Sequence, residues 1–251
     1  MITFEEVTGN LFGFYHDICN FSGFSRGELE GISWVRSEKG GWPDFILGGG
    51  PVSDESFGKI EEAIITGLIP SNWIREGKRS DFEEKAWDHG IRRINYWRGM
   101  TLEPDDKTPR KIYLCDGEVS RIHSVPDLSE WLEVVNSAII SGKKIVPGTF
   151  RNILDNKNFD FWQVRLSKRI VSTLLAYYRD TILGIYMVST SSRHRNKGYA
   201  SCIVSTAIEY YFGKGIKKFV LHSTSPGYSL YKKLGFKEVG VYSIYQKVGN
   251  I

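Results

Sequence analysis

Apolar and polar residues follow one another along this chain in two periods. From about Gly198 the apolar positions are Ala200, Ile203, Val204, Ala207, Ile208 and Tyr211. Spacings of three and four mark a helix with one buried face. Just before it, Ile182, Leu183, Ile185, Tyr186, Met187 and Val188 form an apolar run of strand length. A basic, glycine-bearing turn joins the two.

Working from the start, Phe4 to Phe21 reads as a helix rich in aromatic residues. Ile32–Arg36 and Phe45–Leu47 read as strands, parted by Gly40-Gly41 and Trp42-Pro43. Gly48-Gly49-Gly50-Pro51 is a break; no helix follows it directly, which argues against a phosphate loop. Asp54–Gly67 predicts a helix with Ile60, Ala63 and Ile64 inward, and Asn72–Ile74 a strand. Ser80-Asp81-Phe82-Glu83 has the spacing of a capping box, opening a helix that Gly90 closes. Ile91–Leu102 returns as a strand.

Glu103–Arg110, EPDDKTPR, is polar and lacks apolar periodicity, so it is the linker candidate. Beyond it Lys111–Val125 reads as a strand. Ser124-Val125-Pro126-Asp127 starts a helix that continues through Leu128, Trp131, Leu132 and Val135. A short helix is expected after Pro147-Gly148. Phe161–Leu166 and Ile170–Tyr178 predict a hairpin, Lys217–His222 a strand, Pro226–Leu234 a short helix and Val239–Lys247 a last strand. Ser225 and Pro226 look like an N-cap and the first helical residue. The fold class is α/β (α+β), with boundaries expected at 1–104, 105–117 and 118–251.

Composition narrows the function. At 251 residues and 41% hydrophobic content the chain can build one large core or two ordinary ones. The net charge is only +4, yet Arg193–Lys237 holds nine Lys/Arg against the single acid Glu209. A local anionic ligand fits that distribution better than a nucleic-acid coat. Cys19, Cys115 and Cys202 are odd in number and far apart in sequence, so neither a disulfide framework nor a zinc site is expected, and Cys202 reads as packing. No apolar run is long enough to span a membrane, and a cytoplasmic location is the expectation. His16 and His89 are isolated and read as structural.

A strand that feeds a helix through a glycine turn aims free N–H groups at one point, and the helix dipole adds positive charge there. Arg193, Arg195 and Lys197 crowd the same turn. The natural ligand is a phosphate or pyrophosphate. No G-x-G-x-x-G follows a strand, which excludes a dinucleotide site of the usual kind.

These residues resemble the GNAT acetyltransferase superfamily. Its acyl-CoA loop, Arg/Gln-x-x-Gly-x-Gly/Ala, stands here as Arg195-Asn196-Lys197-Gly198-Tyr199-Ala200, and Leu230-Tyr231-Lys232-Lys233-Leu234-Gly235-Phe236 looks like the family's late helix. The likeness covers about Val119 to Tyr245. The first half is similar to the degenerate unit of two-domain members, since it has no Arg-x-x-Gly-x-Ala loop. The resemblance implies two GNAT-like domains in tandem, each a mixed, mostly antiparallel sheet flanked by helices. It also implies direct acetyl transfer from acetyl-CoA, without a metal, to an amine, here expected to be a small molecule. Arg195 to Ala200 would hold the diphosphate, and the backbone of Met187, Val188, Ser189 and Thr190 would pair with the pantetheine arm. Tyr231 would protonate the leaving thiolate. His222 and Tyr186 lie where an acceptor could enter. No nucleic-acid or membrane partner is expected. The competing reading is a non-catalytic acyl-CoA-binding or regulatory protein on the same fold.

Overall fold

The computed structural model describes residues 1–49, 53–77, 81–105, 111–138, 143–146 and 148–248. Gly50 and Pro51, Ser80 of the expected capping box, most of the linker candidate (106–110) and Pro147 lie outside them.

The first half runs α1 (Phe4–Ile18), β1 (Phe24–Leu29), β2 (Ile32–Ser37), β3 (Asp44–Leu47), α2 (Asp54–Ile65), β4 (Asn72–Glu76), α3 (Asp81–Asp88) and β5 (Ile91–Leu102). The second repeats that order after one short extra strand: β6 (Glu118–Arg121), α4 (Val125–Ala138), β7 (Phe159–Leu166), β8 (Arg169–Arg179), β9 (Ile182–Thr190), α5 (Tyr199–Gly213), β10 (Lys218–Ser223), α6 (Tyr228–Lys233) and β11 (Lys237–Lys247). Helix α1 opens with the capping box Thr3/Glu6 that its first turn requires.

All eleven strands form one sheet, in the order β1-β2-β3-β4-β11-β5-β10-β9-β8-β7-β6. Within each half the first three long strands are antiparallel, and the fourth joins them in parallel: β3 with β4, β9 with β10. The last strands are exchanged. β11 lies between β4 and β5, and β5 lies between β10 and β11. At the centre Trp97 faces Tyr242, and from that pair outward the sheet reads alike in both directions. The 104 and 118 boundaries follow the chain, but the sheet crosses them.

Helices α1 and α4 cover one face, in a core that includes Leu11, Phe14, Trp131, Tyr177 and Tyr242. On the other face α5 and α6 pack over β8–β10, and α2 and α3 over β2–β4. Sheet-wide burial on both faces explains why apolar runs were the legible signal for the inner strands.

Four expectations need correction. Lys111–Val125 is not one strand: only Glu118–Arg121 pairs, and the helix begins at Val125. Strand β1 was not anticipated, because FSRGEL buries only Phe24 and carries no apolar alternation. The residues after Gly148 form successive turns, not a helix. Cys115 and Cys202 are joined, with Cα atoms 6.0 Å apart, a separation that suits a disulfide. Sequence distance misled here, since 87 positions separate partners that the fold brings together. The cysteines therefore lend no support to the cytoplasmic expectation.

That pair belongs to a strap. Residues 111–117 run along α5: the Tyr113 N–H donates to Ser205 Oγ (3.0 Å), the Tyr113 hydroxyl to the Lys233 carbonyl (3.4 Å), and Asp116 accepts from the Tyr199 hydroxyl (2.7 Å). The carboxy-terminal part of the expected linker is thus tied down.

Candidate functional site

Strand β9 and β10 are paired from Ile182↔Lys218 to Ile185↔Leu221 and no further. Beyond that point β9 carries a bulge: Thr173 faces Ser189, while Leu175 faces Tyr186, so Met187 and Val188 share one opposing residue. Met187 takes φ +49°, the one interior strand residue without a glycine's freedom to do so. Serine 189 and Thr190 stay on β8 through their pairs with Thr173 and Ser172, and their other flank has no strand. The result is a fork that opens between the ends of β9 and β10. Met187, Val188, Ser189 and Thr190, all half-buried, line one prong.

The chain leaves that prong through the 3₁₀ turn Ser192–His194 and enters α5. Asn196 (φ +61°) and Gly198 (φ +88°) are both left-handed, which curls the segment into a nest. Gly198 is the N-cap and has no side chain to cap with, and the first turn holds no acid. Among the described residues, none of the N–H groups from Arg195 to Ala200 donates to a protein acceptor. Arg193, Arg195 and Lys197 stand exposed around them. Arg195 also ties the turn to the prong, its Nε donating to the Thr190 carbonyl at 3.2 Å. Open amides, a helix N-terminus and three cations fit a diphosphate. The Tyr199 side chain points away: it is buried, with its hydroxyl on Asp116, so only its main chain faces the nest.

Tyr231 sits on α6 at the other prong. A Cβ on Gly227 would lie 3.0 Å from the Tyr231 ring and 3.4 Å from the Ser223 hydroxyl, which places the ring at the end of β10. The ring packs edge-on to Phe236. Burial pushes the phenol's pKa up, so it holds its proton, and among the described residues its hydroxyl makes no protein hydrogen bond. Ser225 does not cap this helix. Ser225–Gly227 is itself a 3₁₀ turn after Thr224, and α6 begins at Tyr228.

Beneath the fork lies a polar group that sequence reasoning missed. Helix α1 of the first half lays Asn10 and Thr8 against it. The Tyr186 hydroxyl donates to Asn10 Oδ1 at 2.7 Å, and Thr8 Oγ1 and the Tyr242 hydroxyl are 2.8 Å apart. Gly184 makes the approach possible, since a Cβ there would fall 2.2 Å from Asn10 Oδ1. His222 stacks on Tyr186 (centroids 5.8 Å) and meets Tyr242 edge-on (5.1 Å). Phe14 stacks on the far side of Tyr186 at 4.0 Å. Burial lowers the His222 pKa to about 3, so the ring is neutral near pH 7. Three buried atoms here have no protein partner: Asn10 Nδ2 and both ring nitrogens of His222. Each bare buried polar atom costs about 1–3 kcal/mol. Three together would take a large share of a typical stability of about 5–15 kcal/mol. Something other than protein answers them. A basic histidine role is disfavoured by the same burial. No His, Cys, Asp or Glu cluster among the described residues is arranged to hold a metal ion, and no helix among them is long and apolar enough to cross a membrane.

Comparison with known proteins follows this geometry. Residues 127–236 match the model of the Acetyltransferase (GNAT) family. No curated protein is a match. Among solved structures, a GCN5-related N-acetyltransferase from Kribbella flavida superposes with a TM-score of 0.71 at 10% identity, over 100% of this chain and 98% of that one. A GNAT-family protein from Novosphingobium aromaticivorans gives 0.57 at 16% identity, covering 97% of each chain. A tandem GNAT protein from the clavulanic acid biosynthesis pathway gives 0.57 at 10% identity, over 99% of this chain and 97% of that one. At such identities the structures speak for the fold, and the family model speaks for the second half. Residues 127–236 are a GNAT acetyltransferase domain, and the whole chain carries the fold of the tandem GNAT proteins.

Proposed function

We propose that this protein is an N-acetyltransferase that moves an acetyl group from acetyl-CoA directly to the amine of a small molecule. The observation that carries the reading is the nest from Arg195 to Ala200, where unengaged amides and an uncapped helix end adjoin an open strand fork. Acetyl-CoA would supply an activated thioester. The remaining chemistry falls to the chain. The amides of Arg195, Asn196, Lys197, Gly198, Tyr199 and Ala200 would grip the diphosphate. The unpaired flank of Met187–Thr190 would hydrogen-bond the pantetheine arm as a strand does. An N–H freed at the Met187 bulge would meet the carbonyl oxygen as it takes up charge. Tyr231, protonated by virtue of its burial, would give its proton to the departing sulfur.

The test is direct. Calorimetry with acetyl-CoA should show binding that Arg195→Ala with Lys197→Ala weakens. Thiol release should then appear with some member of an amine panel. Tight binding with no turnover on any amine would favour the alternative, a non-catalytic acyl-CoA-binding protein. Absence of binding would remove the proposal altogether.

A further inference from the structure

We propose, on the footing of the acetyltransferase reading, that Asn10 and His222 form the floor of an acceptor subsite for an uncharged donor–acceptor group, a carboxamide or hydroxyl, carried beside the amine. The two side chains come from different halves of the chain, and both lie just past the last rung of the β9–β10 ladder. Asn10 is 3% exposed. Its Oδ1 is already engaged by Tyr186, which leaves the Nδ2 donor to be answered. A neutral imidazole offers one further donor and one acceptor, and both are bare. What satisfies this set must accept from an amide N–H, and must itself donate to a ring nitrogen.

A carboxamide does both through its oxygen and its NH₂, and a hydroxyl does both through one atom. A carboxylate has no proton to donate, and a second ammonium has no lone pair to accept with. The groups packed around the floor, Tyr186, Tyr242 and Thr8, are uncharged and would compensate neither. His222 keeps part of its surface open although its nitrogens are shut off, so the floor borders the fork. The pair therefore selects the acceptor's second group and leaves the amine free to face the thioester.

The experiment compares four amines of similar length with acetyl-CoA: β-alaninamide, ethanolamine, β-alanine and n-propylamine. The expected result is a kcat/KM at least tenfold higher for the first or second than for n-propylamine, expressed mainly in KM, with β-alanine no better than n-propylamine. Asn10→Leu and His222→Phe should bring the preference within threefold while the acetyl-CoA Kd holds. His222→Gln, which keeps a donor and an acceptor, should restore part of it. Turnover without preference, or a preference that survives both apolar substitutions, overturns the subsite and leaves the acetyltransferase reading intact. Failure to bind acetyl-CoA overturns that reading instead. If acetyl-CoA binds and no amine turns over, ¹⁵N spectra of the His222 ring decide, with CoA-saturated protein titrated with β-alaninamide and n-propylamine. A shift with the amide alone supports the subsite, and any other pattern sinks it.

Discussion

Each half of the molecule ends its parallel strand pair at a fork, and the two forks are finished in opposite ways. In the first half the ladder continues past Leu47↔Ile74, with the Gly48 N–H on the Ile74 carbonyl at 3.0 Å, and the Trp73 indole closes the gap by donating to the Gly48 carbonyl at 3.1 Å. In the second half the ladder stops, and the prongs separate. The helices that follow differ as well. Helix α2 is capped by Ser53, which accepts from the Ser56 N–H, and Asp54 and Glu55 occupy its first turn. Helix α5 has Gly198, no cap and no acid. An anion approaching α2 meets satisfied amides and two carboxylates; one approaching α5 meets bare amides and arginine. The difference teaches that the lost loop motif is only part of why the first half is degenerate. Its strand gap and its helix end are sealed independently.

The halves nonetheless share their central strands, and the largest predicted effect follows from that. Removing β11 by truncation after Phe236 should unfold the first half as well as the second, because β11 is the neighbour of β4 as well as of β5. Circular dichroism and solubility should both show a loss of structure; a folded fragment 1–104 would refute the interlock. Next in size, Tyr231→Phe should lower kcat by about 100-fold or more with acetyl-CoA Kd unchanged, as expected for removal of a general acid. A stopped assay of thiol release checks it.

A smaller effect sharpens the contrast of the helix ends. Gly198→Asp gives α5 the kind of acidic cap that α2 has, and should weaken acetyl-CoA binding by about tenfold, the scale of one charge at a helix N-terminus. The converse change in α2, Ser53→Gly with Asp54→Asn and Glu55→Gln, should create no acetyl-CoA binding, because the fork beside it stays closed by Trp73. Calorimetry on both variants tests the pair.

The smallest effect concerns pH. His222 has a folded pKa lowered to about 3 by burial, against an ordinary value of 6.5. The unfolded chain therefore binds the proton more readily than the folded one. Its neutral burial is fully tolerated above about pH 6.5, and stability is lost as the pH falls from there toward 3, by at most about 1.4 kcal/mol per unit. Urea melts at pH 7, 6 and 5 should show this slope, and His222→Gln should flatten it. An unchanged slope in that variant would place the acid sensitivity elsewhere.

Much of the fold was legible. The apolar runs of β8 to β10 are buried on both faces, so they stand out in the sequence whatever their partners. Gly198 and the cations around it announced the nest, because a local turn needs only local residues. Strand β1 was silent, since an edge strand that buries one phenylalanine has no pattern to show. Asn10 was silent too. It occupies an ordinary inward position on α1, and its meaning comes from Tyr186 and Gly184, more than 170 residues away. The Cys115–Cys202 junction escaped for the same reason.

By itself, then, the chain determined which stretches become helix or strand and where an anion can be gripped, because hydrogen bonding over four residues and side-chain periodicity are written locally. Tertiary structure alone decided that β5 and β11 change places, that one fork is shut by Trp73 while the other stays open, and that the first half's Asn10 reaches beneath the second half's fork. Those outcomes depend on which surfaces remain unburied once every local element has formed, and burial is a property of the whole assembly of elements.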